Sequence, residues 1–307
     1  MNIFTIIITV SGLALFEIIS SIDNAIINAE VLSTTSERAR RWFLFWGLIF
    51  AVGFVRGLLP WAIIWASSPA LGPIGALTAT FNNDPQIHDL IEKSAPILLA
   101  GGGIFLVFLF FHWLFLEPKE FGLRAEKFFY TQGIWFYAIV SIILAIIVWF
   151  SLQINPTMAF GAVIGSTAFF ITHGFKQNAE KGEEQLLKKG HMSDISKILY
   201  LEVIDATFSI DGVLGAFAFT LSVPLIILGN GLGALVLRQL TVGNMDRIKK
   251  YVYLKNGAMY SILFLGCIML ADAFGAHISS WVSPLATFGV VGYFFLKSNS
   301  ELKKANT

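Results

Sequence analysis

The chain has 307 residues, 56% of them hydrophobic and only 13% charged, with a net charge of +1 and a mean hydropathy of +0.72. A water-soluble core of this size cannot enclose that much apolar surface. A lone cysteine, Cys267, excludes a disulfide-stapled module, and the near-neutral balance leaves no basic face for nucleic acid.

The composition is that of an all-α polytopic membrane protein. Each crossing needs roughly 20 mostly apolar residues. About nine stretches qualify, near 3–32, 42–66, 95–116, 134–152, 157–173, 198–220, 223–240, 251–273 and 279–296. The first lacks a basic start and carries Glu17 and Asp23, so it reads as a span and not as a cleavable signal. Cys267 in the eighth is expected as a small buried hydrophobe.

Lysine and arginine set the orientation. Apart from Lys93, and from Arg56 and Arg238 within helices, every basic residue falls on one set of alternate loops. These loops include Arg38 to Arg41, Lys119 to Lys127, the lysine-rich 174–197 stretch with Lys181, Lys188 and Lys189, and Arg247 to Lys255. That bias places the N-terminus outside and the C-terminus in the cytoplasm of a cell (inner) membrane. The sizeable external loop, 67–94, carries Asp84, Asp89 and Glu92.

An internal repeat is legible. Glu17-Ile-Ile-Ser20-Ser21-Ile-Asp23-Asn24 aligns with Asp205-Ala-Thr-Phe-Ser209-Ile-Asp211-Gly212, and Gly47-x8-Arg56 aligns with Gly229-x8-Arg238. Helix 6 follows helix 1 by five spans, an odd step, so the copies run antiparallel, the inverted topology of secondary transporters. The single transmembrane domain divides into repeat 1 (about 1–116), linker helices (about 117–197), repeat 2 (about 198–274) and a final helix (about 279–296).

Helices 1 and 6 carry Glu17, Asp23, Glu202, Asp205 and Asp211 within apolar runs. An ionised side chain at the bilayer centre costs at least ~2.5–3.5 kcal/mol. Arg56 and Arg238 can neutralise two of the five, which leaves an acidic excess suited to a cation. Glu17 and Asp23 stand six residues apart, about 120° around an ideal helix, as do Asp205 and Asp211. Sharing a site therefore requires neighbouring helices or local unwinding, near Ser20-Ser21 and Asn24 in one copy and Ser209 and Gly212 in the other. Carboxylates with Ser21, Ser209 and Asn24 form a hard oxygen donor set for Mn²⁺, Ca²⁺ or Mg²⁺. Gly101-Gly102-Gly103 reads as a close helix contact. His112 and His173, near helix ends on the basic side, read as proton carriers or as satisfied interfacial histidines.

These motifs resemble the TerC family of integral membrane proteins, named for tellurium resistance and related to LysE-like exporters. The resemblance rests on Glu17-x5-Asp23-Asn24 and Glu202-x2-Asp205-x2-Phe208-Ser209-x-Asp211; Gly212 stands where many relatives have serine. It implies Mn²⁺ export, with the metal as substrate and no bound cofactor. The expected site is Asp23, Asn24, Asp205 and Asp211, supplemented by Glu17, Glu202, Ser21 and Ser209, with Arg56 and Arg238 as charge partners and protons as counter-substrate. A Ca²⁺ exchanger and a non-transporting stress-response scaffold or sensor are the alternatives. An intramembrane protease would need a Gly-x-Gly-Asp pattern that the chain lacks, so the chain is not expected to be an enzyme.

Overall fold

The computed structural model describes residues 2–47, 49–78, 85–188, 193–243 and 248–305. Among them regular structure is entirely helical. Asp84 and Arg247, the side chains of Asp89 and Glu92, and Lys181, Lys188 and Lys189 of the basic loop lie outside the described residues or side chains.

The first apolar run forms α1 (Ile3–Ser20) and α2 (Ile22–Ser33). The second begins as α3 (Glu37–Trp42), passes through π-helical turns at Phe43–Gly47 and Phe50–Leu58, and ends as α4 (Leu59–Ser67). After α5 (Gly72–Thr78) come α6 (Pro85–Leu116), the short α7 (Arg124–Thr131), α8 (Phe136–Ile154) and α9 (Pro156–Lys188). The last third holds α10 (Asp194–Ala216), α11 (Val223–Gly243), α12 (Leu254–Ala273) and α13 (Val282–Ala305).

Seven helical segments among the described residues are long and apolar enough to cross a membrane, which makes this a multi-pass membrane protein. Of the nine expected, α10 falls short because Lys197, Glu202, Asp205 and Asp211 interrupt it, and α13 because its second half carries Lys297, Glu301, Lys303 and Lys304.

Helix α6 is the centre of the bundle: 78% of its span is buried, against 11% for α8 at the periphery. It packs on α9 and α12, while α1 packs on α11. Small residues allow the closest contacts. A Cβ on Gly165 would stand 2.6 Å from the Gly101 carbonyl carbon, and one on Gly101 would stand 2.8 Å from the Gly161 oxygen. The glycine run of α6 is thus a backbone-to-backbone seam.

Cys267 departs from expectation, since it lies exposed on α12. In a bilayer the outward face is as apolar as the inward one, so hydropathy does not separate the two.

Candidate functional site

Two arginines organise the buried charge. Arg56, 2% exposed and carried on the π-helical stretch, donates from Nε to Glu17 Oε1 at 2.8 Å and makes a second short contact to the same oxygen. Arg238 of α11 forks onto Glu202 of α10, with N···O separations of 3.3–3.4 Å. Asp205 stands between them, its Oδ2 lying 3.7 Å from Arg56 and 3.5 Å from Arg238. Its Oδ1 accepts a 2.6 Å hydrogen bond from Asn24 Nδ2 on α2.

The π turns serve this geometry. Such i→i+5 turns recur at functional sites, and here each arginine bonds a carbonyl of one: Arg238 bonds Phe43 O at 2.7 Å and Arg56 bonds Ala51 O at 3.3 Å. Glycine is required beside them. A Cβ on Gly47 would stand 2.6 Å from an Arg238 nitrogen and 2.8 Å from Glu202 Cδ, and one on Gly212 would stand 2.9 Å from Glu17 Oε2.

The cluster therefore joins Glu17, Asn24, Glu202 and Asp205 to Arg56 and Arg238: three carboxylates to two guanidiniums. Ser21 Oγ donates to Glu17 Oε1 at 3.1 Å. Ser209 spends its hydroxyl proton on the Asp205 carbonyl of its own helix, at 2.6 Å.

Asp23 and Asp211 have other partners. Lys255, at the start of α12, lies 2.7 Å from Asp23 and 2.7 Å from Glu117. Lys176 of α9 pairs closely with Asp211. The acidic excess read from sequence thus shrinks from three to one, because these two lysines reach back into the bundle. Lys255 sits at the edge of an apolar run and reads as a loop residue. Lys176 had a usable signal, since α9 continues past residue 173 and puts His173, Lys176 and Gln177 on one face by i, i+3, i+4 spacing.

The helix break is present in one copy only. The Ser21 backbone (φ −103°, ψ 6°) separates α1 from α2, whereas α10 runs unbroken through Ser209–Gly212. Several buried acceptors near the break have no donor among the described residues: Glu17 Oε2, Asn24 Oδ1 and Asn28 Oδ1. Asn28 follows Asn24 by one helical turn, an i, i+4 spacing that puts both amides on one face of α2. Among the described residues, no three of the His, Cys, Asp and Glu side chains converge as a ready-made metal site.

A family model described as a protein of unknown function, DUF475, matches residues 22–304. The chain belongs to the DUF475 family. The matched stretch holds Asp23, Asn24, Arg56, Glu202, Asp205, Asp211 and Arg238, and leaves out Glu17 and Ser21. No curated protein and no solved structure matches the chain.

Proposed function

We propose that this DUF475 protein is a secondary transporter that exports a divalent cation, Mn²⁺ in the first instance, from the cytoplasm across the cell (inner) membrane in exchange for protons. One observation carries the reading: a buried cluster with one carboxylate more than its arginines, lined by acceptor oxygens that find no donor among the described residues. Uncompensated buried negative charge is costly, and a hard divalent cation relieves it.

The ligands proposed are Glu17, Asn24, Glu202 and Asp205. Asp23 and Asp211, held by lysines, flank this set. As a cation enters, Arg56 and Arg238 yield the carboxylates; as it leaves, the arginines and protons reclaim them. The pairs Glu17–Arg56 and Asp205–Arg238 occupy matching positions in the two sequence copies, which supports an inverted repeat; the nine-span count and the N-outside orientation rest on the hydropathy and the Lys/Arg bias. The TerC resemblance supports Mn²⁺ over Ca²⁺ or Mg²⁺.

The test is uptake of Mn²⁺, Ca²⁺, Mg²⁺ and Zn²⁺ into proteoliposomes with internal pH recorded, for wild type, Glu17→Gln and Asp205→Asn. Saturable Mn²⁺ flux with opposing proton movement, lost in both variants, is expected. Folded wild-type protein that moves none of the four would sink the proposal.

A second reading has its own support. Every one of the five acids meets a basic side chain, as in helix-to-helix glue for a stress-response scaffold or sensor. A scaffold keeps its cellular phenotype when Asp205 is neutralised; a transporter loses it.

A further inference from the structure

Beside the arginine cluster a second polar chain runs through the bundle. Its outer end is Glu117, in the turn after α6, where Lys255 joins it to Asp23; these side chains are 29%, 39% and 44% exposed. Inward, His112 Nδ1 of α6 lies 3.9 Å from Glu117 Oε1. The His112 ring lies against the His173 ring of α9, with centroids 3.8 Å apart. Beyond them, Lys176 on the next turn of α9 pairs with Asp211 of α10, both side chains nearly buried. Asp211 Oδ1 is buried with no donor among the described residues, and its neighbour Gly212 faces Glu17.

We propose that His112 and His173 form a proton relay between the partly exposed Glu117 and the buried Lys176–Asp211 pair, a route for protons separate from the cation ligands. This rests on the proton-exchange reading above.

The contact geometry supports a relay that carries one proton at a time. Two imidazoles this close cannot both be cations, because like charges in contact disfavour double protonation. The pair alternates between charge 0 and +1. A proton taken up at the Lys176–Asp211 pair reaches His173, one turn back on α9, through an intervening water, the His173 N–H forming as the donor's bond to that proton breaks. His112 gains it as His173 gives it up, and Glu117 takes it from His112 Nδ1 and releases it to water. A bridging water or a small ring rotation closes the 3.9 Å gap. No electron moves.

The surroundings fit. Phe169 stacks on His173 and Phe136 of α8 stands edge-on to His112, which shields the pair from lipid. Gln177 lies 3.0 Å from His173 Nε2 and orients that ring. The charged groups acting on the pair are Glu117 and Lys119 from the turn after α6, Lys176 from α9 and Asp211 from α10, with Lys255 of α12 reaching Glu117. The carboxylates Glu117 and Asp211 stand at the two ends of the route and favour a proton on the pair, while Lys176 and Lys119 oppose it and keep its residence short.

The experiment compares two fluxes in proteoliposomes made with wild type, His112→Gln, His173→Gln and Glu117→Gln. One is net Mn²⁺ movement driven by a pH gradient, with internal pH recorded. The other is exchange of radioactive for unlabelled Mn²⁺ at equal pH, which needs no net proton transfer. In the histidine variants net flux should fall by about a hundredfold, the low end for removal of a proton-transfer group, while self-exchange persists; Glu117→Gln should fall less, since Asp23 shares its water-exposed end. Histidine variants with wild-type coupled flux would overturn the relay and leave the transporter standing. Loss of self-exchange together with coupled flux would also overturn it, by showing the pair to be structural. A wild type that moves no Mn²⁺ would remove the exchange reading, and the relay with it.

Discussion

Asn24 donates a 2.6 Å hydrogen bond to Asp205 from a helix 181 residues away in sequence. Among the described residues it is the one neutral donor on a carboxylate that otherwise faces two guanidiniums. The bond ties the segment just after the Ser21 break to α10, so the two acidic motifs meet through an amide and not through their second aspartates.

Removing that amide is expected to destabilise the protein. Asn24→Leu leaves Asp205 Oδ1 buried without its donor, which costs about 1–3 kcal/mol. Thermal unfolding in detergent should show a lowered midpoint. An unchanged midpoint would mean that Asp205 finds another donor.

The Glu17–Arg56 pair is expected to behave as a unit. Breaking a buried pair by removing one partner costs about 3–5 kcal/mol, while replacing both by apolar groups is often near neutral. Arg56→Met should therefore be severe, and Arg56→Met with Glu17→Met should recover much of the loss. A double-mutant cycle on unfolding midpoints reads this directly. Additive losses would show that the two side chains act independently.

The glycine seam makes a steric prediction. Gly165→Ala drives a methyl into the Gly101 backbone, and overpacking of this kind costs about 1–3 kcal/mol. Gly289→Ala meets open space within 4 Å and should be tolerated. Comparable yields of folded protein for the two variants would contradict the α6–α9 contact.

Lys119 should leave a signature in alkaline stability. Its ammonium bonds the Trp113 carbonyl and sits 3.9 Å above the Trp113 ring. Burial pushes its pKa down to about 8 against the pull of Glu117. Between that value and the ordinary lysine value near 10.4, the unfolded chain binds more protons than the folded one, so stability rises with pH. The stability difference between wild type and Lys119→Met should move in favour of wild type across this window. Glu117 has the opposite sense: burial raises its pKa, the stronger combined pull of Lys255 and its neighbours lowers it, and the net value is low. Its contribution is present above the ordinary glutamate value and is lost as pH falls to the depressed one. Glu117→Gln should flatten that acid limb.

The sequence by itself determined an all-helical, multi-pass membrane protein and most of its cast of buried charges. Runs of apolar residues long enough to cross a bilayer have few other fates, and an acid or arginine inside such a run stands out against its neighbours. Glu17, Glu202, Asp205, Arg56 and Arg238 were legible for that reason, as was the break at Ser21 beside a polar cluster. Only the tertiary structure decided the partners. Hydropathy reports the medium a segment lies in, not which helix it touches, so it could not say that Lys255 reaches Asp23 or that α9 carries Lys176 to Asp211. It could not show that α10 stays intact at Ser209, where the hydroxyl bonds back to its own helix and the ladder has no need to open. Those outcomes rest on how helices distant in sequence pack, and on the requirement that each charge removed from water meet an opposite one.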